Sequence, residues 1–333
     1  MADQTSPRKP NRRWLSFSLR MFLLILTLVA IALGWYVNRV SQQRAAVAWV
    51  VQKGGTVQYS FEFGPNGQPL KQPVPPGPDW LRNMLGIDYF STVWCVNFED
   101  INEPNLMPLA KLTSLRQLTL FRCNAADISP LAKLTNLKSL YIGNNLIRDI
   151  TPLRSLKQLS TLQLNGLPID DVTPIVNMTN LRMLSLRDNL IADVSSLSKL
   201  NKLEYVNLGN SLVSDVTPFA NMTALRELNL PHCPVADLSP LAGLTSMRSM
   251  DFSQTNVSDV SPLVDMTNFV SLYLADTQIK DVSPLVNMTK LNILNLSSTN
   301  VSTDQVNDLR LNLPTCSIAH SELSPEKPNR PKK

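Results

Sequence analysis

The stretch Leu137–Leu156, LKSLYIGNNLIRDITPLRSL, is the clearest copy of a unit that recurs every 22 residues along the chain. Steps of 22 from Val93 reach ten positions, and all ten are apolar. The positions three and five residues later are apolar in all ten units as well. Because chance does not give thirty apolar residues at thirty stepped positions, we predict a solenoid in which each coil covers the apolar face of the next.

Each unit follows L-x-x-L-x-L-x-x-N-x-I-x-D-[IV]-[ST]-P-L-x-x-L. The alternating L-x-L predicts a short strand whose leucines point inward. The [ST]-P step predicts a short helix on the far side of the coil, with the serine or threonine as its cap and the proline at its first position. Ten parallel strands spaced about 4.8 Å apart would give a curved rod of roughly 45–50 Å.

The unit resembles the leucine-rich repeat, and its 22-residue spacing with the D-[IV]-[ST]-P-L segment resembles the internalin-type subclass of bacterial, membrane-anchored leucine-rich repeat proteins. This resemblance implies an α/β solenoid, a right-handed superhelix with a parallel β-sheet on its concave face, preceded here by one transmembrane helix. The asparagine ladder of the family is kept at Asn145 and Asn189 only. Threonine, serine and cysteine replace most of the other asparagines, and we expect them to bond the backbone of the neighbouring coil less fully.

One aspartate per coil forms a second column. Its members are Asp127, Asp149, Asp171, Asp193, Asp215, Asp237, Asp259 and Asp281. Single carboxylates about 5 Å apart supply too few converging oxygens for calcium, so we expect each one to bond the amides of its own turn.

The amino terminus carries a membrane signal. Five basic residues within 1–20 precede the uncharged apolar run Met21–Val37, which as a helix would be about 26 Å long. The excess of positive charge before the run predicts a cytoplasmic amino terminus and an exported solenoid, in the periplasm or at the cell surface. The competing interpretation is a signal peptide cleaved near Ala32, because Ala30-Ile31-Ala32 matches a cleavage pattern.

These features divide the chain into five predicted segments. They are a basic cytoplasmic tail at 1–20, the transmembrane helix or uncleaved signal anchor at 21–37, an adapter and N-terminal cap at 38–92, the solenoid at 93–313 with a degenerate last unit, and a C-terminal cap end with a disordered tail at 314–333. Within the adapter we expect a helix over 38–53, a strand over 56–63 and a short helix that Asp79 caps, with 79–92 covering the first repeat. At the other end we expect a capping helix over Thr303–Leu311 and a strand near Cys316–Ile318.

Charge and side-chain chemistry exclude several functions. The net charge of +5 comes from the two tails, so the neutral body does not predict a nucleic-acid partner. Neither a phosphate loop, nor a paired-cysteine metal motif, nor a nucleophile elbow occurs, and two histidines are too few for a multi-histidine site. We therefore predict no enzyme, cofactor, metal or small-molecule substrate, and we expect the four cysteines to be buried, inert thiols.

The resemblance implies that a partner binds the concave strand face, which carries the third, fifth, seventh and eighth residues of each unit. The candidate partner-binding residues there are Phe121, Arg122, Tyr141, Arg187, Asp188, Tyr205, Glu227, His232 and Tyr273. Tyrosine and arginine are favoured at binding hot spots. Residues 111–202 hold twelve basic and six acidic residues, whereas 203–313 hold five and eleven, so the membrane-near half is basic and the far half acidic.

The sequence thus favours a noncatalytic protein-interaction module that a single-span anchor displays outside the cytoplasmic membrane, with a protein partner that the sequence does not name. Two alternatives stay open. One is a structural or scaffolding component of the cell envelope, and the other is a secreted binder released by cleavage near Ala32.

Overall fold

The structure is a computed structural model that describes residues 19–102 and 105–321. Twelve strands form one sheet in sequence order. The strands are β1 Thr56–Tyr59, β2 Val93–Glu99, β3 Gln117–Phe121, β4 Ser139–Gly143, β5 Thr161–Asn165, β6 Met183–Ser185, β7 Tyr205–Asn207, β8 Glu227–Asn229, β9 Ser249–Asp251, β10 Ser271–Tyr273, β11 Ile293–Asn295 and β12 Ser317–Ala319. Strands β2 to β12 are parallel, and β1 joins the edge antiparallel to β2.

The strands pair in the register that the 22-residue repeat predicts. Leu118 lies opposite Leu140, and Leu140 lies opposite Leu162. All thirty apolar positions counted in the sequence are buried and belong to one continuous core. The predicted solenoid is therefore confirmed, and burial of the leucine columns is the main force that holds its coils together.

Short 3₁₀ helices lie on the side of each coil opposite the sheet. They span Met107–Lys111, Ser129–Lys133, Thr151–Ser155, Thr173–Ile175, Ser195–Lys199, Thr217–Phe219, Ser239–Leu241, Ser261–Leu263 and Ser283–Leu285. The predicted caps are wrong in detail. From Ser129 onward the serine or threonine is the first helical residue, proline follows it where one is present, and the cap residue before it makes no side-chain cap bond.

The aspartate column performs the capping that we assigned to serine and threonine. Each of the eight carboxylates accepts a hydrogen bond from the backbone amide two residues later, at 2.7–2.9 Å. These bonds lower the pKa of Asp149, Asp193, Asp215, Asp237 and Asp281, because they favour the charged form. The expectation that the aspartates bond their own turns is confirmed.

This column makes the solenoid sensitive to acid. A carboxylate whose pKa is lowered on folding stabilises the fold above the unfolded pKa of about 3.9, and that contribution is lost as the pH falls through the lower folded pKa. We expect the melting temperature to drop as the pH falls from 6 to 3. The melting temperature should drop less in the triple variant Asp193→Asn, Asp215→Asn and Asp237→Asn. The asparagine amide oxygen accepts the same bond at every pH in this range.

The matched control is Asp170→Asn, Asp265→Asn and Asp308→Asn, three carboxylates that make no hydrogen bond among residues 19–102 and 105–321. Circular dichroism melts at each pH measure the difference. Identical pH profiles for the two triple variants would mean that the column does not govern acid stability.

The amino-terminal helix α1, Leu19–Gln52, is 34 residues long and continues without a break from the apolar run into the adapter. Within 19–102 and 105–321 it is the one helix long and apolar enough to cross a membrane, and none of its most apolar 18-residue window is buried. Its second half is different, because Val40, Gln43, Ala46 and Val50 lie on one face and are buried. Ala46 and Val50 join the solenoid core, so the end of α1 covers the first coil.

The rest of the adapter folds beside this helix. Gly55 lets the chain turn tightly after α1, since a Cβ there would lie 2.4 Å from the Phe98 ring. The predicted strand ends early, at Tyr59, where the 3₁₀ helix Ser60–Glu62 begins. Helix α2 spans Asp79–Leu85 and buries none of its residues, and the 3₁₀ helix Ile87–Tyr89 follows it. Asp79 does not cap α2 as predicted, because it is the first helical residue and its carboxylate pairs with Arg82.

At the far end, helix α3 spans Thr303–Asn312, and the hydroxyl of Ser302 caps it by accepting a bond from the Gln305 amide at 3.3 Å. Val306 and Leu309 are buried against the last coil, as the predicted capping helix requires. Strand β12 lies one residue later than predicted and pairs parallel with β11. Of the tail 320–333 that we expect to be disordered, His320 and Ser321 are described, and they hydrogen-bond to Val301 and Ser298, while 322–333 lie outside the described residues. Of the predicted basic tail 1–20, residues 19 and 20 belong to α1, and 1–18 lie outside the described residues.

The two asparagines of the ladder bridge coils, whereas the threonines do not. The side chain of Asn145 accepts from the amides of Cys123 and Ala125 and donates to the carbonyls of Leu120 and Gly143, at 2.8–3.1 Å. In contrast, the hydroxyls of Thr255, Thr277 and Thr299 donate to a carbonyl three residues earlier in their own coil. The expectation that threonine bonds the neighbouring coil is therefore wrong, because each of these hydroxyls donates its proton to a carbonyl of its own coil instead.

The four cysteines are free thiols. Cys233 donates to the carbonyl of Leu208 in the preceding coil at 3.2 Å, so cysteine does bridge coils as expected. Burial raises the pKa of Cys95 and of Cys123 to about 11, which keeps both protonated at neutral pH. Cys316 departs from the prediction, because it is only partly buried.

Candidate functional site

The candidate residues lie on the outer side of the sheet, which we call the strand face. Between the buried leucines of each strand, the third and fifth residues of the unit point away from the core. Parallel register places equivalent positions of successive coils side by side, so that Tyr205 lies opposite Glu227 across neighbouring strands. The strand face is therefore a set of rows with a spacing of about 4.8 Å.

The nine candidate residues spread along this face and do not meet in one place. Phe121 belongs to the second coil and Tyr273 to the ninth, so seven strand spacings, about 34 Å, separate them. Phe121, Tyr141, Tyr205 and Tyr273 are half-buried, and the five charged or imidazole side chains, Arg122, Arg187, Asp188, Glu227 and His232, are exposed. An arrangement of this kind suits an extended macromolecular surface rather than a small-molecule pocket.

Two groups of candidate residues are in contact. The Arg122 guanidinium pairs with Asp100 in the preceding coil and lies 4.7 Å from the centre of the Phe121 ring. That guanidinium lowers the pKa of the Asp100 carboxyl. Further along, Arg187 pairs with Asp188 at 3.1 Å, and Asn210 donates to Asp188 at 2.7 Å. Because these pairs are exposed, they orient side chains more than they stabilise the fold.

Glu227 and His232 are not brought together. The structure shows no hydrogen bond or ion pair between them within 19–102 and 105–321, and the His232 amide instead donates to the carbonyl of Ser253 in the next coil at 2.9 Å.

The eighth residues of the units share a backbone feature that was not predicted from the sequence. Each of these residues has a left-handed conformation, with φ between 51° and 65°. The column comprises Asp100, Arg122, Asn144, Gly166, Asp188, Asn210, His232, Gln254, Asp276 and Ser298. Each of the ten amides donates to a carbonyl of the next coil or strand, so the turn extends the inter-coil ladder beyond the strand. The composition of this position in the sequence indicates the conformation, since Asp, Asn and Gly occupy six of the ten positions and tolerate it best.

A second missed feature is an exposed apolar row beside the strand face. Leu146, Leu190 and Leu212 occupy the tenth position of their units and are 55–61% exposed. The residues directly after them, Ile147, Ile191 and Val213, are fully buried. Each of these leucines directly precedes a buried residue, so inside–outside alternation along the chain predicts that the leucines face solvent.

Comparison with known proteins agrees with this geometry. The family model described as Leucine Rich repeats (2 copies) matches residues 135–177 and 179–221. No curated protein sequence matches the chain significantly.

Among solved structures, the chain is similar to an internalin (inlF) from Listeria monocytogenes, with 33% identity, 68% of this chain and 67% of that chain covered, and a TM-score of 0.64. An internalin C2 from the same organism is 32% identical over 55% of this chain and 80% of its own, with a TM-score of 0.52. The Arabidopsis receptor kinase HAESA, solved with the peptide hormone IDA and the co-receptor SERK1, shares the fold at 19% identity, with 63% of this chain and 40% of that chain covered and a TM-score of 0.53. The chain therefore belongs to the internalin-like leucine-rich repeat proteins.

Proposed function

We propose that this chain is a single-span membrane protein of the 22-residue, internalin-type subclass that displays its solenoid outside the cytoplasm, where the strand face binds a protein partner without catalysis. Met21–Val37 is the membrane span in this proposal, 1–20 is the cytoplasmic tail, 38–92 is the adapter and cap, and 93–313 is the recognition domain followed by the end segment 314–333. Partner binding on related folds, as in the HAESA complex, supports the proposal by analogy.

The observation that carries the proposal is that the two halves of α1 have different surroundings. Its first half is apolar and exposed, so the solenoid core does not account for it. Its second half packs on the first coil through Ala46 and Val50, so one rigid helix joins the apolar segment to the repeats. Exposed apolar surface of this extent is costly in water, and a bilayer removes that cost.

The strand face supports a recognition role through its composition. Tyr141, Tyr205 and Tyr273 recur every third coil. Tyr141 and Tyr273 lie in the row of fifth residues, which is otherwise polar, and Tyr205 lies in the row of third residues between Met183 and Glu227. Half-buried tyrosines of this kind supply rigid contact area with a polar tip. The adjacent exposed leucines Leu146, Leu190 and Leu212 add apolar surface at one border of the face.

Site-specific photocrosslinking tests the location of the partner. A benzophenone amino acid placed at Tyr205 in the full chain should give one discrete heteromeric adduct in cells. The same probe at Lys199, an exposed residue of a 3₁₀ helix on the opposite side of the coil, should give none. A Tyr141→Ala change should then reduce the Tyr205 adduct, by roughly tenfold or more if Tyr141 is a hot spot.

The alternatives give different products in the same experiment. Adducts between two copies of the chain would favour the scaffolding component, and a crosslinked chain that begins near Leu33 would favour the secreted binder. Equal labelling from Tyr205 and Lys199 would contradict recognition by the strand face.

A further inference from the structure

A cleft opens where α1 leaves the apolar segment and passes the first coils. It has a volume of about 460 Å³ and is lined on one side by α1 residues between Trp35 and Gln42. The other side consists of the first two solenoid 3₁₀ helices and the loops after them, including Lys111, Ser114 and Lys133. The cleft is thus formed jointly by the anchor helix and the repeats.

The cleft is cationic. Arg39, Lys111 and Lys133 line it, and none of its lining residues is acidic. The Arg39 guanidinium donates to the Ser114 hydroxyl at 2.8 Å and lies 5.8 Å from the centre of the Trp35 ring, so uncharged groups hold it in place. Within 19–102 and 105–321, no ion pair involves any of these three cations. Three positive charges in one concave site without a counter-charge favour an anionic ligand.

The depth of the cleft along α1 identifies that ligand. A helix rises about 1.5 Å per residue, so Asn38 to Gln42 lie roughly 1.5–7.5 Å beyond the end of the apolar run at Val37. The headgroup layer on each side of a bilayer is about 5–8 Å thick. Trp35, which is 64% exposed, stands at the border where interfacial tryptophans collect. If α1 crosses the bilayer as proposed, the cleft that these three cations line therefore lies at the level of lipid phosphates.

We propose that this cleft binds the headgroup of an anionic phospholipid in the leaflet from which the solenoid emerges. The inference rests on the proposed membrane anchoring of α1. The phosphate lies between Arg39 on the helix and the two lysines on the first coils. Because Ala46 and Val50 fix α1 against the solenoid, a headgroup held at this point sets how the strand face is oriented relative to the membrane.

Native mass spectrometry of the detergent-solubilised full chain tests the site. The chain is titrated with phosphatidylglycerol, with phosphatidylcholine and with inorganic phosphate. Each basic residue near an anionic lipid surface is worth about fivefold in affinity, so the triple variant Arg39→Gln, Lys111→Gln and Lys133→Gln should weaken phosphatidylglycerol binding by about 100-fold. The single variant Lys133→Gln, the least disruptive change, should weaken it about fivefold.

The matched control is Lys199→Gln, Lys202→Gln and Arg226→Gln, which removes the same charges at least three coils away and should stay within about twofold of the unmodified chain. Selective loss in the cleft variants, with phosphatidylcholine binding unchanged, supports the site. Equal phosphatidylglycerol binding by cleft and control variants overturns it, as does displacement of the lipid by millimolar inorganic phosphate, which would make the cleft a free-phosphate site.

Alkaline extraction of reconstituted vesicles separates failure of this site from failure of the anchor. A chain that resists extraction but does not prefer phosphatidylglycerol overturns the headgroup site and leaves the proposed anchor intact. A chain that alkali removes from the vesicles overturns both.

Discussion

Replacement of Asn145 by alanine is expected to lower the free energy of unfolding by about 3–5 kcal/mol, because four buried backbone groups lose their partners at once. The Asn145 amide satisfies two backbone amides and two carbonyls across adjacent coils, and the residue is only 5% exposed. Each buried polar group left unpaired costs about 1–3 kcal/mol, and local relaxation recovers part of the sum. Urea titration of the detergent-solubilised chain, followed by circular dichroism, measures the loss.

The matched control is Thr277→Val at the equivalent step of a later coil. The Thr277 hydroxyl donates one bond, to the Leu274 carbonyl at 2.7 Å, so its removal should cost only about 1 kcal/mol. Equal losses for the two variants would show that the asparagine does not hold neighbouring coils together.

The double variant Leu28→Arg and Ile31→Arg is expected to abolish membrane integration. Both side chains are exposed, at 58% and 64%, so the solenoid should fold as before. An arginine near the centre of a membrane helix costs about 2.5–3.5 kcal/mol. The two arginines should therefore lower the partition coefficient of the chain into the membrane by more than about a thousandfold. The share of the chain in the alkali-resistant membrane pellet measures this shift.

The control places arginine at two exposed valines outside the apolar run, Val51 and Val74. That variant should remain in the membrane pellet. If the Leu28→Arg and Ile31→Arg chain also stayed there, α1 would not be the membrane anchor.

The repeat register could be predicted from the sequence because burial imposes one strict period. Every leucine column that the 22-residue step selects is buried, and even the capping helix α3 follows from the loss of the pattern after residue 300. Local hydrogen bonding was predicted less well, since several short polar side chains compete for the same amides. Asp127, not Ser129, satisfies the first helical amide, because a carboxylate two residues earlier reaches it without strain.

The candidate site could be predicted only as a surface. Strand alternation is sufficient to place Tyr141, Tyr205 and Tyr273 outside the core. Strand alternation does not show that Arg122 pairs with Asp100. Both residues lie in the turn after their strands and have a left-handed conformation, which the alternation does not describe. The cationic cleft depends on a contact between Arg39 and Ser114, which are 75 residues apart, so no local pattern predicts it.

Protease accessibility of a carboxy-terminal tag in intact and outer-layer-permeabilised cells tests the central claim most directly, since that claim places the whole solenoid on the exported side of the membrane. The account predicts a full-length, membrane-bound chain whose tag becomes cleavable without lysis of the cytoplasmic membrane. A tag that protease reaches only after the cytoplasmic membrane is opened would contradict the account, because the strand face could then not meet a partner outside the cytoplasm.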